Sequence, residues 1–140
     1  MRALNIIEKV IALEAVELFR GLSPDQLARI ASIAREITFA PKQVIFEPGR
    51  LLDSLYVILD GAVELSRDGD VLHTARQNEL LGTWALFDEE PMPVTAKTLE
   101  DTRLLSIARN DFFDLLSDNM QITASIFSTM VRRFRQLVGG

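Results

Sequence analysis

VIFEPGRLLDSLYVILDGAVEL, from Val44 to Leu65, changes register between short apolar runs and turn residues. Val44 to Phe46 and Leu55 to Leu59 are rich in β-branched, aromatic and leucine side chains, and Ala62 to Ser66 continues the pattern just past the stretch. Pro48 and Gly49 separate the first pair of runs, and Asp60 and Gly61 the second. Both pairs supply turn chemistry: proline presets a turn backbone, and glycine accepts positive φ. In the last run Val63 and Leu65 alternate with Glu64 and Ser66, so one face is buried and the other wet.

Outward from this stretch the same pattern persists. Ile37 to Phe39, Val71 to Thr74 and Thr102 to Ala108 read as further strands, with Asp68 and Gly69 as another turn. Leu80 to Thr98, LLGTWALFDEEPMPVTAKT, opens on a glycine, runs through a short apolar segment and returns past Pro91 and Pro93 into a strand-like run. A helix start after Gly82 would offer unpaired N–H groups and a positive dipole end, which suit an anion. Between Gly82 and Lys97 the only charged residues are acidic. Many short strands at even spacing predict a sandwich or barrel.

Helical periodicity flanks the strands. Leu4, Ile7, Ile11, Ala15 and Leu18 line one face over residues 3–19, widened by Ile6, Val10 and Leu13, and Gly21 ends the segment. Ser23 caps a second helix, with Pro24 at its first position, Gln26 completing a capping box and Leu22 against Leu27 as a staple. Leu27, Ile30, Ala31 and Ala34 continue its buried face. Near the C-terminus Asn110 is the expected cap of a helix carrying Phe112, Phe113, Leu115 and Leu116, with Asp111 in its first turn. Asn119 opens a longer helix with the stripe Ile122, Ile126, Met130, Phe134 and Leu137. The expected layout is one domain over 1–140, with helices in 3–36, a β-roll in 37–108 and helices in 110–138.

Composition excludes several function classes. The chain has 140 residues, no cysteine and a net charge of −5. No disulfide framework, thiol nucleophile or zinc knuckle can be built. An acidic balance argues against general binding of nucleic acid by phosphate neutralisation. The arginines at 132, 133 and 135 read as the wet face of the last helix. No apolar run is long enough to span a bilayer, and a cytoplasmic protein is expected. His73 is the sole histidine, so a catalytic triad or histidine metal site lacks its parts and a non-enzymatic role follows. Asp88, Glu89 and Glu90 read as a solvated loop, since adjacent carboxylates do not by themselves converge on a cation.

Val44 to Leu65 resembles the cyclic nucleotide-binding domain family. Gly49, Asp53, Tyr56 and Gly61 stand where that family's pattern has a glycine, an aspartate, a tyrosine and a second glycine. The resemblance extends from about Leu18 to Leu137. It implies a mainly β fold: an eight-stranded antiparallel jelly-roll barrel flanked by N-terminal helices and two C-terminal ones.

It also places the family's phosphate-binding cassette on Leu81, Gly82, Thr83, Trp84, Ala85, Met92, Pro93 and Val94. Family members carry a glutamate for the ribose hydroxyl and an arginine for the cyclic phosphate. Thr83 and Met92 occupy those positions here, and Asn78 replaces an upstream glycine. Losing one member of a buried, hydrogen-bonded charge pair costs about 2 to 5 kcal/mol of binding. A helix dipole returns only about 0.3 to 2 kcal/mol. A micromolar site falls toward the millimolar range. Weak or lost binding of cyclic AMP and cyclic GMP is the expectation, unless Arg76 or Lys97 reaches the phosphate. Trp84 either lines the ligand space or fills it.

The resemblance further implies a regulatory module acting on an attached domain or a separate protein partner, with the last helix pairing two subunits. The chain ends at Gly140, before any helix-turn-helix, so direct DNA binding is not expected. Two alternatives stand beside this reading. One is a working cyclic nucleotide sensor with rearranged phosphate contacts. The other is a module that binds an apolar ligand or a protein partner through the Trp84 and Met92 region or the last helix.

Overall fold

Asn5 starts the first helix, α1 (Ile6–Glu14), through a capping box in which its side chain accepts from Glu8 N and the Glu8 carboxylate accepts from Asn5 N. The computed structural model describes residues 3–83 and 93–139. α1 is shorter than its periodicity predicts. The chain turns extended at Val16 and makes a 3₁₀ turn at Glu17–Phe19. Its buried side also differs from the predicted stripe: Leu13 is fully buried, whereas Ile7 and Ile11 are 67% and 63% exposed. Tertiary ties decide this orientation. The Lys9 ammonium donates to Ala34 O at 2.7 Å, and Leu4 N–H donates to the Glu36 carboxylate.

Helix α2 (Pro24–Ser32) forms as its sequence predicts. Ser23 Oγ accepts from Gln26 N and Gln26 Oε1 accepts from Ser23 N. Leu27, Ile30 and Ala31 point into the core, and Leu22 is buried beside them. The strand that follows begins earlier than expected, at Ala34 rather than Ile37. Ladder pairing with the last strand extends back to Ala34 and overrides the helical reading of 34–36.

The strands are β1 (Ala34–Phe39), β2 (Val44–Phe46), β3 (Ser54–Asp60), β4 (Val63–Arg67), β5 (Asp70–Ala75), β6 (Leu80–Leu81), β7 (Thr95–Thr98) and β8 (Thr102–Ala108). They form two antiparallel four-stranded sheets, ordered β1-β8-β3-β6 and β2-β7-β4-β5. Among the described residues no ladder closes them into the expected barrel. The predicted turns hold: Gly49 takes φ 85° after Pro48, and Asp68 and Gly69 take φ 53° and 84° in a two-residue hairpin loop.

Strand β3, inside the first sheet, is buried on both faces over Leu55–Leu59, which is why it reads as a nearly continuous apolar run. Leu55, Val57 and Leu59 of β3, with Leu105 and Ile107 of β8, pack under the helices; Ile58 and Leu104 face the second sheet. There they meet Phe46, Val63, Ala75 and Ala96, and Leu81 of β6 joins the same cluster.

Two helices close the chain, α3 (Arg109–Asp118) and α4 (Met120–Leu137). Asn110 is not the cap of α3, because Arg109 N already donates to Asp53 O at 2.8 Å and the helix begins there. Phe112 is fully buried, its ring 6.4 Å from that of Phe19. Asn119 does stand at the start of α4, but its side chain serves α3, donating to Leu115 O at 2.7 Å. Along α4, Ile122 and Ile126 are buried, and the stripe then leaves the core: Phe134 is 64% and Leu137 81% exposed. No helix among the described residues is long and apolar enough to cross a membrane.

Candidate functional site

The site is built around the end of β6. Leu80 and Leu81 pair with Val57 and Tyr56 of β3. The turn leading into them is held by backbone bonds: Asn78 N donates to Ile58 O at 2.9 Å, and Ile58 N to Glu79 O at 3.0 Å. Asn78 adopts φ 75°, a left-handed conformation that asparagine tolerates. The Glu79 carboxylate takes Arg76 N–H at 2.7 Å and lies 2.7 Å from His73 Nε2. His73 is thereby a surface residue paired to a turn.

Gly82 follows with φ 80° and a buried backbone. A β carbon here would meet Leu52 Cδ2 at 2.6 Å and Ser54 O at 3.1 Å. The glycine is required both by conformation and by its close approach to β3. Past it, Thr83 is half-buried.

Leu81, Gly82, Thr83 and Val94 of the predicted cassette line one cavity of about 100 Å³, together with Phe46, Leu65 and Leu80. Sequence reasoning did not assign these last three to the site. Their apolar character in strand segments was visible, but their convergence needs the pairing of β2 with β7 and of β3 with β6. Pro93 is exposed and is not among the lining residues. Trp84, Ala85 and Met92, and the acidic run Asp88 to Glu90, lie outside the described residues.

No charged side chain lines the cavity among the described residues. Lys97 is exposed on β7 between the buried Ala96 and Thr98, so strand alternation turns it to the outer face. Arg76 is exposed in the turn before β6. The Arg109 guanidinium lies over the Phe113 ring at 5.0 Å from its centroid. Tyr56, across from Leu81, has its phenol pKa pushed up by burial and, second, by the nearby Asp53 charge.

Thr83 and Leu80 also border a second cleft of about 290 Å³, lined further by Val16, Glu17, Asn78 and Arg133. Across it the Arg133 guanidinium stands 3.5 Å from the Glu17 carboxylate, joining the 3₁₀ turn to α4. Both side chains are mostly exposed, and such a pair contributes little stability.

Residues 36–119 match the family described as "Cyclic nucleotide-binding domain". A CRP-like cAMP-activated global transcriptional regulator of Mycobacterium tuberculosis is 25% identical over 124 residues, 85% of this chain and 55% of the relative. The potassium channel KOR2 of Oryza sativa subsp. japonica is 30% identical over 79% of this chain, which corresponds to 17% of the channel. Among solved structures, the N-terminal domain of a transcriptional regulator from Streptomyces coelicolor superposes with a TM-score of 0.83 at 27% identity, covering 90% of this chain and 94% of that one. The chain spans about half the length of the regulator it matches and a smaller share of the channel.

Proposed function

Because the chain belongs to the cyclic nucleotide-binding domain family, we propose that it is a non-enzymatic regulatory domain, acting in the cytoplasm, that holds cyclic nucleotides weakly or not at all. One observation carries this reading. The described wall of the cavity has no charged side chain, and the sequence from Thr83 to Ala96 contains no basic residue. A cyclic phosphate seated there has no counter-charge within that segment, and a buried ion without a partner is costly.

The strand order supports reading the two sheets as a jelly roll. The output passes to an attached domain or a protein partner, and a second copy of the chain is the partner that α4 favours. Met120, Phe127 and Phe134 recur at every seventh residue, followed three residues later by Thr123, Met130 and Leu137 respectively. That is the repeat of a two-helix seam. Its apolar members beyond Ile126 are solvent-facing, Phe127 at 65% and Leu137 at 81%.

A thermal melt with cyclic AMP or cyclic GMP at about 0.1 mM tests the reading. Ligand at about 100 times its dissociation constant adds about 2.7 kcal/mol, a shift of several degrees. The expected result is no shift with either nucleotide; a shift of several degrees overturns the reading in favour of a working sensor. In the double variant Thr83→Glu with Met92→Arg, the restored pair is expected to bring binding back.

A further inference from the structure

A site without a counter-charge still has room for a ligand of another class. Resting on that reading of the site, we propose that the cavity between Phe46, Leu65, Leu81 and Val94 binds an uncharged ligand through a short hydrocarbon group, with the Thr83 hydroxyl as its side-chain polar contact among the described residues.

The walls argue for this class of ligand. Phe46, Leu65, Leu80, Leu81 and Val94 contribute only carbon from their side chains, and Gly82 contributes backbone. Phe46 and Leu81 are 4% and 2% exposed and are fixed by the β2–β7 and β3–β6 ladders, so the inner end is preformed. Leu65 and Val94 are half-buried, at the outer side of the same cluster. At about 100 Å³ the cavity falls below the roughly 300 Å³ at which drug-sized ligand pockets begin. A short hydrocarbon group there gains packing contacts with these side chains.

The charged neighbours of the lining residues on β7 and β4 do not line the cavity. On β7, Lys97 stands on the face opposite Ala96, and on β4, Glu64 alternates with the lining Leu65. Glu47, next to Phe46, is exposed. An ionised group in the cavity meets neither a side-chain charge nor a second hydroxyl among the described residues.

The test uses the full chain with isotope-labelled leucine and valine methyl groups and three probes of equal length: 1-pentanol, pentanoate and protonated pentylamine. Saturable shifts at Leu65, Leu81 and Val94 with 1-pentanol, and about tenfold weaker or no response with either charged probe, support the proposal. Filling the cavity by Val94→Phe is expected to weaken 1-pentanol binding by about tenfold or more, with an unchanged melt as the folding control. If that variant fails to fold, Leu65→Phe serves in its place. Equal responses to all three probes overturn the proposal, as do shifts that persist undiminished in the filled variant. No response to any probe, with no response to cyclic AMP, overturns this inference and leaves the weak-nucleotide reading standing. Saturable micromolar binding of cyclic AMP at the same methyl groups overturns both.

Discussion

Gly82 stands so close to Leu52 that a β carbon on it would lie 2.6 Å from the leucine Cδ2, and it does so at φ 80°. The contact brings the end of β6 against the segment that enters β3. Gly82→Ala is expected to destabilise the domain by about 1 to 3 kcal/mol, read as a lower urea midpoint at unchanged slope.

Gly61 is more tightly confined. At φ 104° its β carbon would meet Thr102 Oγ1 at 2.5 Å and Asp101 O and Thr102 Cα at 2.7 Å, and two of these three atoms are backbone. A β carbon on Gly49, at φ 85°, would meet nothing within 4 Å. The three alanine variants should therefore rank Gly61 worst, Gly82 next and Gly49 mildest in melting temperature. A Gly49→Ala variant as unstable as Gly61→Ala contradicts the packing argument.

Thr98 is fully buried and ties β7 to the β1–β2 connection, its hydroxyl donating to Ala40 O at 2.6 Å and accepting from Gln43 N at 2.9 Å. Thr98→Val keeps the shape and leaves both backbone groups without this partner. A loss of about 1 to 3 kcal/mol is expected, and Thr98→Ser should retain most of the stability by keeping the hydroxyl.

Tyr56 supplies a pH dependence. Burial, and then the Asp53 charge, raise its folded pKa above the usual phenol value of 10.0. Above that value the unfolded chain releases the proton first, so it binds fewer protons than the folded chain and stability falls as pH rises. The contribution is fully present below the unfolded pKa and is lost as pH climbs to the folded one. Tyr56 is the only tyrosine, so the ultraviolet absorbance of phenolate reports it directly. Ionisation should occur at higher pH in the folded protein than in urea, and Tyr56→Phe should flatten the alkaline loss of stability.

The exposed face of α4 carries the assembly prediction. Phe127→Asp and Phe134→Asp alter residues that are 65% and 64% exposed. Each is expected to weaken self-association in sedimentation while leaving the secondary structure unchanged. A wild-type chain that sediments as a monomer at high micromolar concentration rejects the paired-helix reading.

Features whose causes lie a few residues apart are legible in the linear chain. Ser23 and Gln26 announce the start of α2, Asp68 and Gly69 the β4–β5 turn, and the run Leu55 to Leu59 a strand. Gly82 and its neighbours mark the candidate site, and the missing basic residue after it is a sequence fact. The capping box of Asn5 and Glu8 is a signal of the same local kind, and it starts α1 later than hydrophobic periodicity alone predicts.

Distant partners set the rest. Ile7 and Ile11 share a helical stripe with Leu4, yet Lys9 bonded to Ala34 and Leu4 bonded to Glu36 turn Leu13 inward instead. Arg109 starts α3 before Asn110 because Asp53, far earlier in the chain, accepts its N–H. Phe46, Leu65, Leu80 and Val94 come from four parts of the chain and share a cavity through strand pairing and sheet packing. Periodicity and capping act through neighbours in the chain, whereas burial and convergence are set by contacts across the fold, which no local pattern encodes.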